Sequence, residues 1–171
     1  MLIPMLDIIN CSEERFWSLY GDDAWLRGML LEGLGYGGIV IDSNVVTPTG
    51  WEREFRMTPK LRAPDAVLKL VGGMSITDTG RFNRATRTLE FRQRLSVMSD
   101  KLLISGTMRT EADGVGRCRR ISKVNFEAKV FGLGGLIEKA AESNVRKGFQ
   151  DGADYVNRWL AAHPEAQQTR A

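Results

Sequence analysis

The sequence predicts an α+β fold: a strongly curved antiparallel sheet of about seven strands, two short N-terminal helices and one long C-terminal helix. Three observations carry this. Phe131 to Ala162, FGLGGLIEKAAESNVRKGFQDGADYVNRWLAA, opens on a glycine cluster and then runs without a proline, enough for one helix of about 40 Å. Residues 36 to 130 read mostly as strands joined by hairpin-like links. Ahead of them, two short helical segments follow a first strand in immediate succession.

In order, residues 2–9 form the first strand. Ser12, followed by Glu13 and Glu14, is an N-cap with acidic residues in the first turn, where the helix dipole favours them. Phe16, Trp17, Leu19 and Tyr20 give that helix its apolar contacts. Gly21 interrupts, Asp22 caps again, and Ala24–Leu34 makes the second helix, stopped by Gly33 and Gly35. Strands are expected over Tyr36–Val46, Trp51–Met57, Met74–Phe82, Thr86–Met98, Leu102–Thr110 and Arg117–Val130, with a short helix at Pro64–Val71. Trp51, Arg53, Phe55 and Met57 alternate with Glu52, Glu54 and Arg56; Leu89, Phe91, Gln93 and Leu95 alternate with Glu90, Arg92 and Arg94. In the last strand Ser122, Val124 and Phe126 oppose Lys123, Asn125 and Glu127, so one face of the sheet is buried and one is wet. Residues 1–163 make a single domain, and 164–171 are expected to be a disordered tail.

The long helix has a distinctive apolar stripe. Leu136, Ile137, Ala141, Val145, Phe149 and Val156 recur at helical spacing, yet the centre of the stripe is Asn144, Gly148 and Gly152. Each glycine costs roughly 1 kcal/mol in a helix interior relative to alanine. Either the helix approaches the sheet closely there, or its middle is one wall of a cavity. On the second reading Phe55, Leu89, Phe91 and Phe126 supply apolar walls, facing Gly148 and Gly152. Tyr36, Arg53, Gln93, Arg120, Asn144 and Tyr155 then point inward, where they would orient a ligand's polar end.

The totals narrow the function classes. The chain has 171 residues, 43% of them hydrophobic and 26% charged, with a formal net charge of +3. Basic and acidic residues alternate along the strands, so no nucleic-acid partner is implied. Arg92, Arg94, Arg117, Arg119 and Arg120 are interleaved with Glu90, Glu111 and Glu127, a solvated sheet face rather than a membrane-binding patch. Cys11 and Cys118 lie far apart in sequence and fit no metal spacing, and read as reduced thiols of a cytoplasmic protein. The opening MLIPMLDIIN has no basic residue before its short apolar run and carries Asp7 inside it, so it reads as neither signal peptide nor membrane span. In Gly132-Leu133-Gly134-Gly135 the third glycine of a dinucleotide fingerprint falls at Ile137, and no strand follows to carry the ribose-binding acid; a structural turn is the reading. The one histidine, His163, sits at a helix end, and no histidine or cysteine cluster exists for zinc. No catalytic triad, metal or cofactor is expected, and Asp22-Asp23 reads as a helix cap. Trp25, Leu26, Met29, Leu30 and Leu31 are apolar around more than one helix face; a surplus there would gate a cavity mouth or touch a bilayer transiently.

Three stretches bring a resemblance. CSEERFWSLYGDD, LRAPDAVLKLVGG and the junction VFGLGGLIEKAAESNVRKGFQDGADYVNRWL together resemble the START-like superfamily, also called SRPBCC or helix-grip, over nearly all of residues 1–163. The first and third look like a bacterial family of START-like domains without an assigned activity, and residues 16–34 are similar to the VASt lipid-transfer domains. The resemblance implies an apolar cavity between the curved sheet and the C-terminal helix, holding a lipid, sterol, polyketide or other hydrophobic molecule. No catalytic motif carries across with it. Three readings stay open: a hydrophobic-ligand carrier, a cyclase or aromatase-type enzyme using cavity Tyr and Arg groups, and a non-catalytic interaction domain with a filled core.

Overall fold

A computed structural model describes residues 1–164; the expected tail, from residue 165 on, lies outside the described residues. Strand β1 (Leu2–Ile9) leads into helices α1 (Glu13–Tyr20) and α2 (Asp23–Gly28). Helix α2 runs on through one wider, π-helical turn, Met29–Gly33, where the sequence predicts an unbroken α-helix to Leu34. Then come β2 (Gly38–Thr47), β3 (Gly50–Thr58), α3 (Asp65–Val71), β4 (Ile76–Asn83), β5 (Thr88–Leu95), β6 (Leu102–Ala112), β7 (Cys118–Ala128) and α4 (Gly134–Ala162). The strands form one curved antiparallel sheet of seven in the order β1-β7-β6-β5-β4-β3-β2. Every neighbour pair is a sequential one except β1–β7, which brings the first strand beside the last. This is the expected α+β architecture.

Local chemistry sets the two N-terminal helices where they are. The Arg15 N–H donates to Ser12 Oγ (3.2 Å) and the Trp25 N–H to Asp22 Oδ1 (2.7 Å), so both caps form. Trp17 Nε1 donates to Thr110 Oγ1 (2.8 Å), the Thr110 hydroxyl donates to Glu13 Oε2 (2.8 Å), and Arg87 pairs with Glu13. With Trp17 stacked on Phe82 at 4.3 Å between ring centres, this network ties α1 to the inner face of the sheet. Cys11 and Cys118 are buried free thiols, hydrogen-bonded to one another where β1 meets β7.

The pleat divides the sheet as the alternation predicts. Trp51, Arg53, Phe55 and Met57 are buried while Glu52, Glu54 and Arg56 are exposed, and β5 and β7 follow the same rule. Helix α4, 29 residues long, is less uniform. Its second half is buried at Gly152, Ala153, Val156 and Leu160, whereas in the first half only Ile137 is. Leu136, expected inside, is 38% exposed, because the first turns of α4 overhang the sheet instead of pressing on it. Trp25, Leu26, Met29 and Leu30 are all buried, leaving Leu31, 40% exposed, as the only large apolar side chain of that helix for a bilayer to meet. Of the expected apolar surplus, Leu31 alone stays outside the core.

The glycines that let α4 approach closely at Tyr155 are those of α2 and the turn after it, not Gly148 or Gly152. A Cβ on Gly33 would lie 2.8 Å from Tyr155 Cγ, and one on Gly28 would lie 2.9 Å from the Tyr155 hydroxyl. A Cβ on Gly148 would meet nothing within 4 Å. On this geometry Gly33→Ala loses about 1–3 kcal/mol through overpacking, while Gly148→Ala gains up to about 1 kcal/mol of helix propensity. Urea midpoints of the two variants should move in opposite directions.

Candidate functional site

Between the concave face of the sheet and α4 lies a largely apolar cavity of about 230 Å³. Phe55, Leu89, Phe91 and Phe126 form walls from β3, β5 and β7. Gly148 and Gly152 line it from α4; with open space at the first and ordinary contact at the second (3.8 Å to Arg120 Nη1), neither is there to let backbones touch. Two sheet glycines, Gly80 beside Leu89 and Gly106 beside Phe91, do serve packing. A Cβ at Gly106 would stand 2.5 Å from Phe91 Cζ, so only glycine lets that ring lie across the sheet. The partly exposed lining residues Pro59, Leu61, Ala63, Ala140 and Ala141 belong to the segment before α3 and the first half of α4, and mark the mouth.

Tyr155 is the sequence-predicted residue that does not reach this cavity. Its ring sits in the slot left by Gly28 and Gly33, 6.0 Å from the Trp25 ring and hydrogen-bonded to Glu32. Helical phase puts it near the edge of the α4 stripe, and the bare glycines opposite draw it out. Asn144 lines the mouth, but its hydrogen bonds are committed. Its Oδ1 accepts from the Arg62 N–H (3.0 Å), and its Nδ2 donates to the carbonyls of Arg62 (2.7 Å) and Ala140 (2.8 Å). It latches the segment before α3 onto α4, with both amide hydrogens and one Oδ1 lone pair spent on backbone. Arg120 is likewise engaged: Nε and Nη2 donate to Asp7 Oδ2 (3.1 and 2.7 Å), and Nη2 also to the Phe149 carbonyl (2.6 Å).

The polar groups left facing the cavity cluster at one end. Arg53, 4% exposed, donates Nη1 to the Tyr20 carbonyl (2.8 Å) and lies over the rings of Trp51 (4.7 Å) and Phe55 (5.5 Å). Asp78, 8% exposed, accepts from Gln93 Nε2 (2.8 Å), its partner across β4 and β5. Burial pushes the Asp78 carboxyl up to about 6, against the smaller opposing effects of Gln93 and Arg53. Burial also raises the Tyr20 phenol, and it pushes Tyr36 up to about 12, so both remain neutral hydroxyls. Asp78 and Tyr20 were not among the sequence candidates. For Asp78 the signal was present: Ile76, Asp78, Gly80 and Phe82 share one face of a strand whose ends are buried. Tyr20 reads from sequence as an ordinary helix contact, and only the docking of α1 turns it into the cavity.

With this geometry described, comparison with other proteins places the chain. A family model described as "Protein of unknown function (DUF2505)" matches residues 8–160. The chain belongs to that family. No curated protein matches its sequence. Among solved structures it is similar to the ZhuI aromatase/cyclase from Streptomyces sp. R1128, with a TM-score of 0.69 and 13% identity over 95% of this chain and 98% of that one. A START superfamily protein from Mycobacterium smegmatis aligns with a TM-score of 0.62 and 12% identity over 93% and 98%. Norcoclaurine synthase from Thalictrum flavum aligns with a TM-score of 0.61 and 14% identity over 95% and 87%. The fold of this DUF2505 domain is thus the START-like helix-grip fold; at such identities the likeness is one of architecture. These three neighbours do not bear on the VASt likeness of residues 16–34. Among the described residues no helix is long and apolar enough to cross a membrane, and no cluster of three metal-ligating side chains occurs.

The buried carboxyl makes a pH prediction. Asp78 titrates near 6 when folded, against about 3.9 when unfolded. The folded chain holds this proton more tightly, so the stability it lends is full below about pH 4 and is lost as pH rises through 6. Asp78→Asn should therefore be more stable than the wild type by about 3 kcal/mol at pH 7.5, the gain vanishing near pH 4. Urea midpoints of both proteins across that range check it.

Proposed function

We propose that this DUF2505 domain binds a hydrophobic small molecule, a single-chain lipid or similarly compact compound, between the sheet and α4, and acts as its carrier. The observation that carries this reading is that α4 keeps a glycine, Gly148, facing open space in an apolar cavity. A helix that only had to pack would place a larger side chain there. The volume bears on the ligand. About 230 Å³ exceeds the roughly 150 Å³ that admits benzene and falls short of the roughly 300–1,000 Å³ of drug-sized sites. One acyl chain or a small fused-ring system fits; a sterol would require the mouth to widen. Binding then draws on apolar burial at roughly 25 cal/mol per Å². The cytoplasm is the compartment we propose, where cysteines such as Cys11 and Cys118 are ordinarily reduced.

A second reading has one observation in its favour. A carboxyl poised near 6 inside the cavity, within electrostatic reach of Arg53, is what a general base needs. Two of the structural neighbours are an aromatase/cyclase and norcoclaurine synthase. As an enzyme, this chain would rely on Asp78 and Arg53, and not on Tyr155. The filled-core alternative finds no support in a chain with this cavity.

Gly148→Leu tests the carrier reading. The leucine should occupy the cavity and weaken binding of the fluorescent probe N-phenyl-1-naphthylamine by about tenfold or more, with thermal unfolding still cooperative. Unchanged probe affinity in the folded variant would mean that α4 is not a cavity wall.

A further inference from the structure

Two arginines reach the inner face of this sheet, and they are held differently. Arg120, 2% exposed, has its charge matched by Asp7. Arg53 has no such partner. Among the described residues no carboxylate hydrogen-bonds or ion-pairs with it, and its buried Nε donates to nothing. Burial lowers the guanidinium's pKa, yet in water-like pH ranges an arginine stays charged. A buried cation without a hydrogen-bonded counter-ion is costly, and a bound anion removes the cost.

The nearby carboxyl makes its hydrogen bond to another residue. The β3–β4 register sets Arg53 opposite Gly80, and Asp78 opposite Phe55, so Asp78 stands diagonally from Arg53 and bonds Gln93 instead. Directly across from Arg53, Gly80 carries no side chain, and Leu89 Cδ1 and Asp78 Oδ1 take up the space a Cβ would need, 3.1 and 3.8 Å from its position. Arg53 therefore lines the cavity with no ion pair among the described residues and with its Nε unpartnered.

We propose that the cavity end lined by Arg53 is an anion subsite: the ligand is an apolar monocarboxylic acid whose carboxylate pairs with Arg53, and Asp78 takes up a proton as the carboxylate enters. The proposal rests on the carrier reading above and narrows its ligand. Charge balance carries the coupling. Arg53 and ionised Asp78 sum to zero, and the half-buried Asp23 of α2 also acts on Arg53, so an ionised ligand would leave excess negative charge in an apolar site. Protonating Asp78 restores neutrality and supplies an O–H donor to the incoming carboxylate. The other groups facing Asp78 do not oppose this: Gln93 on β5 is neutral, and Tyr20 on α1 and Tyr36 ahead of β2 are neutral phenols. Arg120 on β7 is held by Asp7, and no charged side chain of α4 lines the cavity. Burial, net of the opposing effects of Gln93 and Arg53, already brings Asp78 up to about 6, so a modest further rise puts it above neutrality.

The test is calorimetric titration of the whole chain at pH 7 with decanoate, decanol and decylamine, each in two buffers of different ionisation enthalpy. Decanoate should bind about tenfold or more tighter than decanol, decylamine weakest, with uptake of about one proton per decanoate. In Asp78→Asn that uptake should disappear. In Arg53→Met the decanoate preference should collapse to that of decanol; where this variant fails to fold, the wild-type series decides. Decanol or decylamine binding as tightly as decanoate overturns the anion subsite alone. Absent uptake in the wild type, or undiminished uptake in Asp78→Asn, overturns the role of Asp78. No binding by any of the three overturns the carrier reading and this one with it.

Discussion

One helix cannot cover a seven-stranded sheet, and most of this structure follows from that mismatch. Seven strands at about 4.8 Å spacing span close to 29 Å, while a helix with its side chains is about 10–12 Å across. Helix α4 lies along β1, β7 and the π-helical turn after α2. The remaining concave surface is roofed by α1, α2 and α3 around the sides. Where these elements do not meet, apolar walls enclose space. Gly148 enlarges that space, and the Asn144 latch holds the segment before α3 across its edge.

The buried polar groups make sense against this background. Arg53, Asp78, Tyr20 and Tyr36 would be costly in a core that only had to be stable, since each gives up water for partial replacement. The anchoring of α1 through Trp17, Thr110 and Glu13 brings the Tyr20 carbonyl onto Arg53. The same helix that closes one side of the cavity thereby fixes the direction of Arg53, the cavity arginine that forms no ion pair among the described residues. Arg120 shows the contrasting arrangement, a buried arginine fully engaged by Asp7 and a helix carbonyl. Its role is to join β1, β7 and α4.

Much of the fold was legible because strand pleat and helix caps are local. Alternation in β3, β5 and β7 identified the inward residues, and Ser12 and Asp22 capped the helices they were expected to cap. What was not legible depended on partners distant in sequence. Tyr155 was assigned inward by phase, but Gly28 and Gly33, more than a hundred residues earlier, offer it a slot on another side. Asn144 looked like a free polar group until the Arg62 backbone arrived beside it. Asp78 was readable from the alternation of its own strand and was overlooked because acidic residues are usually solvent-facing. The π-helical turn leaves no mark in the local sequence, since Met29–Gly33 has the spacing of an ordinary helix.

The central claim is that the space under α4 is a ligand site and not a packing defect. Native mass spectrometry of the freshly purified chain, with organic extraction of whatever is retained, tests it most directly. The account predicts a mass above that of the polypeptide, reduced to the bare chain on extraction, and an apolar molecule in the organic phase. A bare chain that also takes up no fluorescent lipid probe would contradict it.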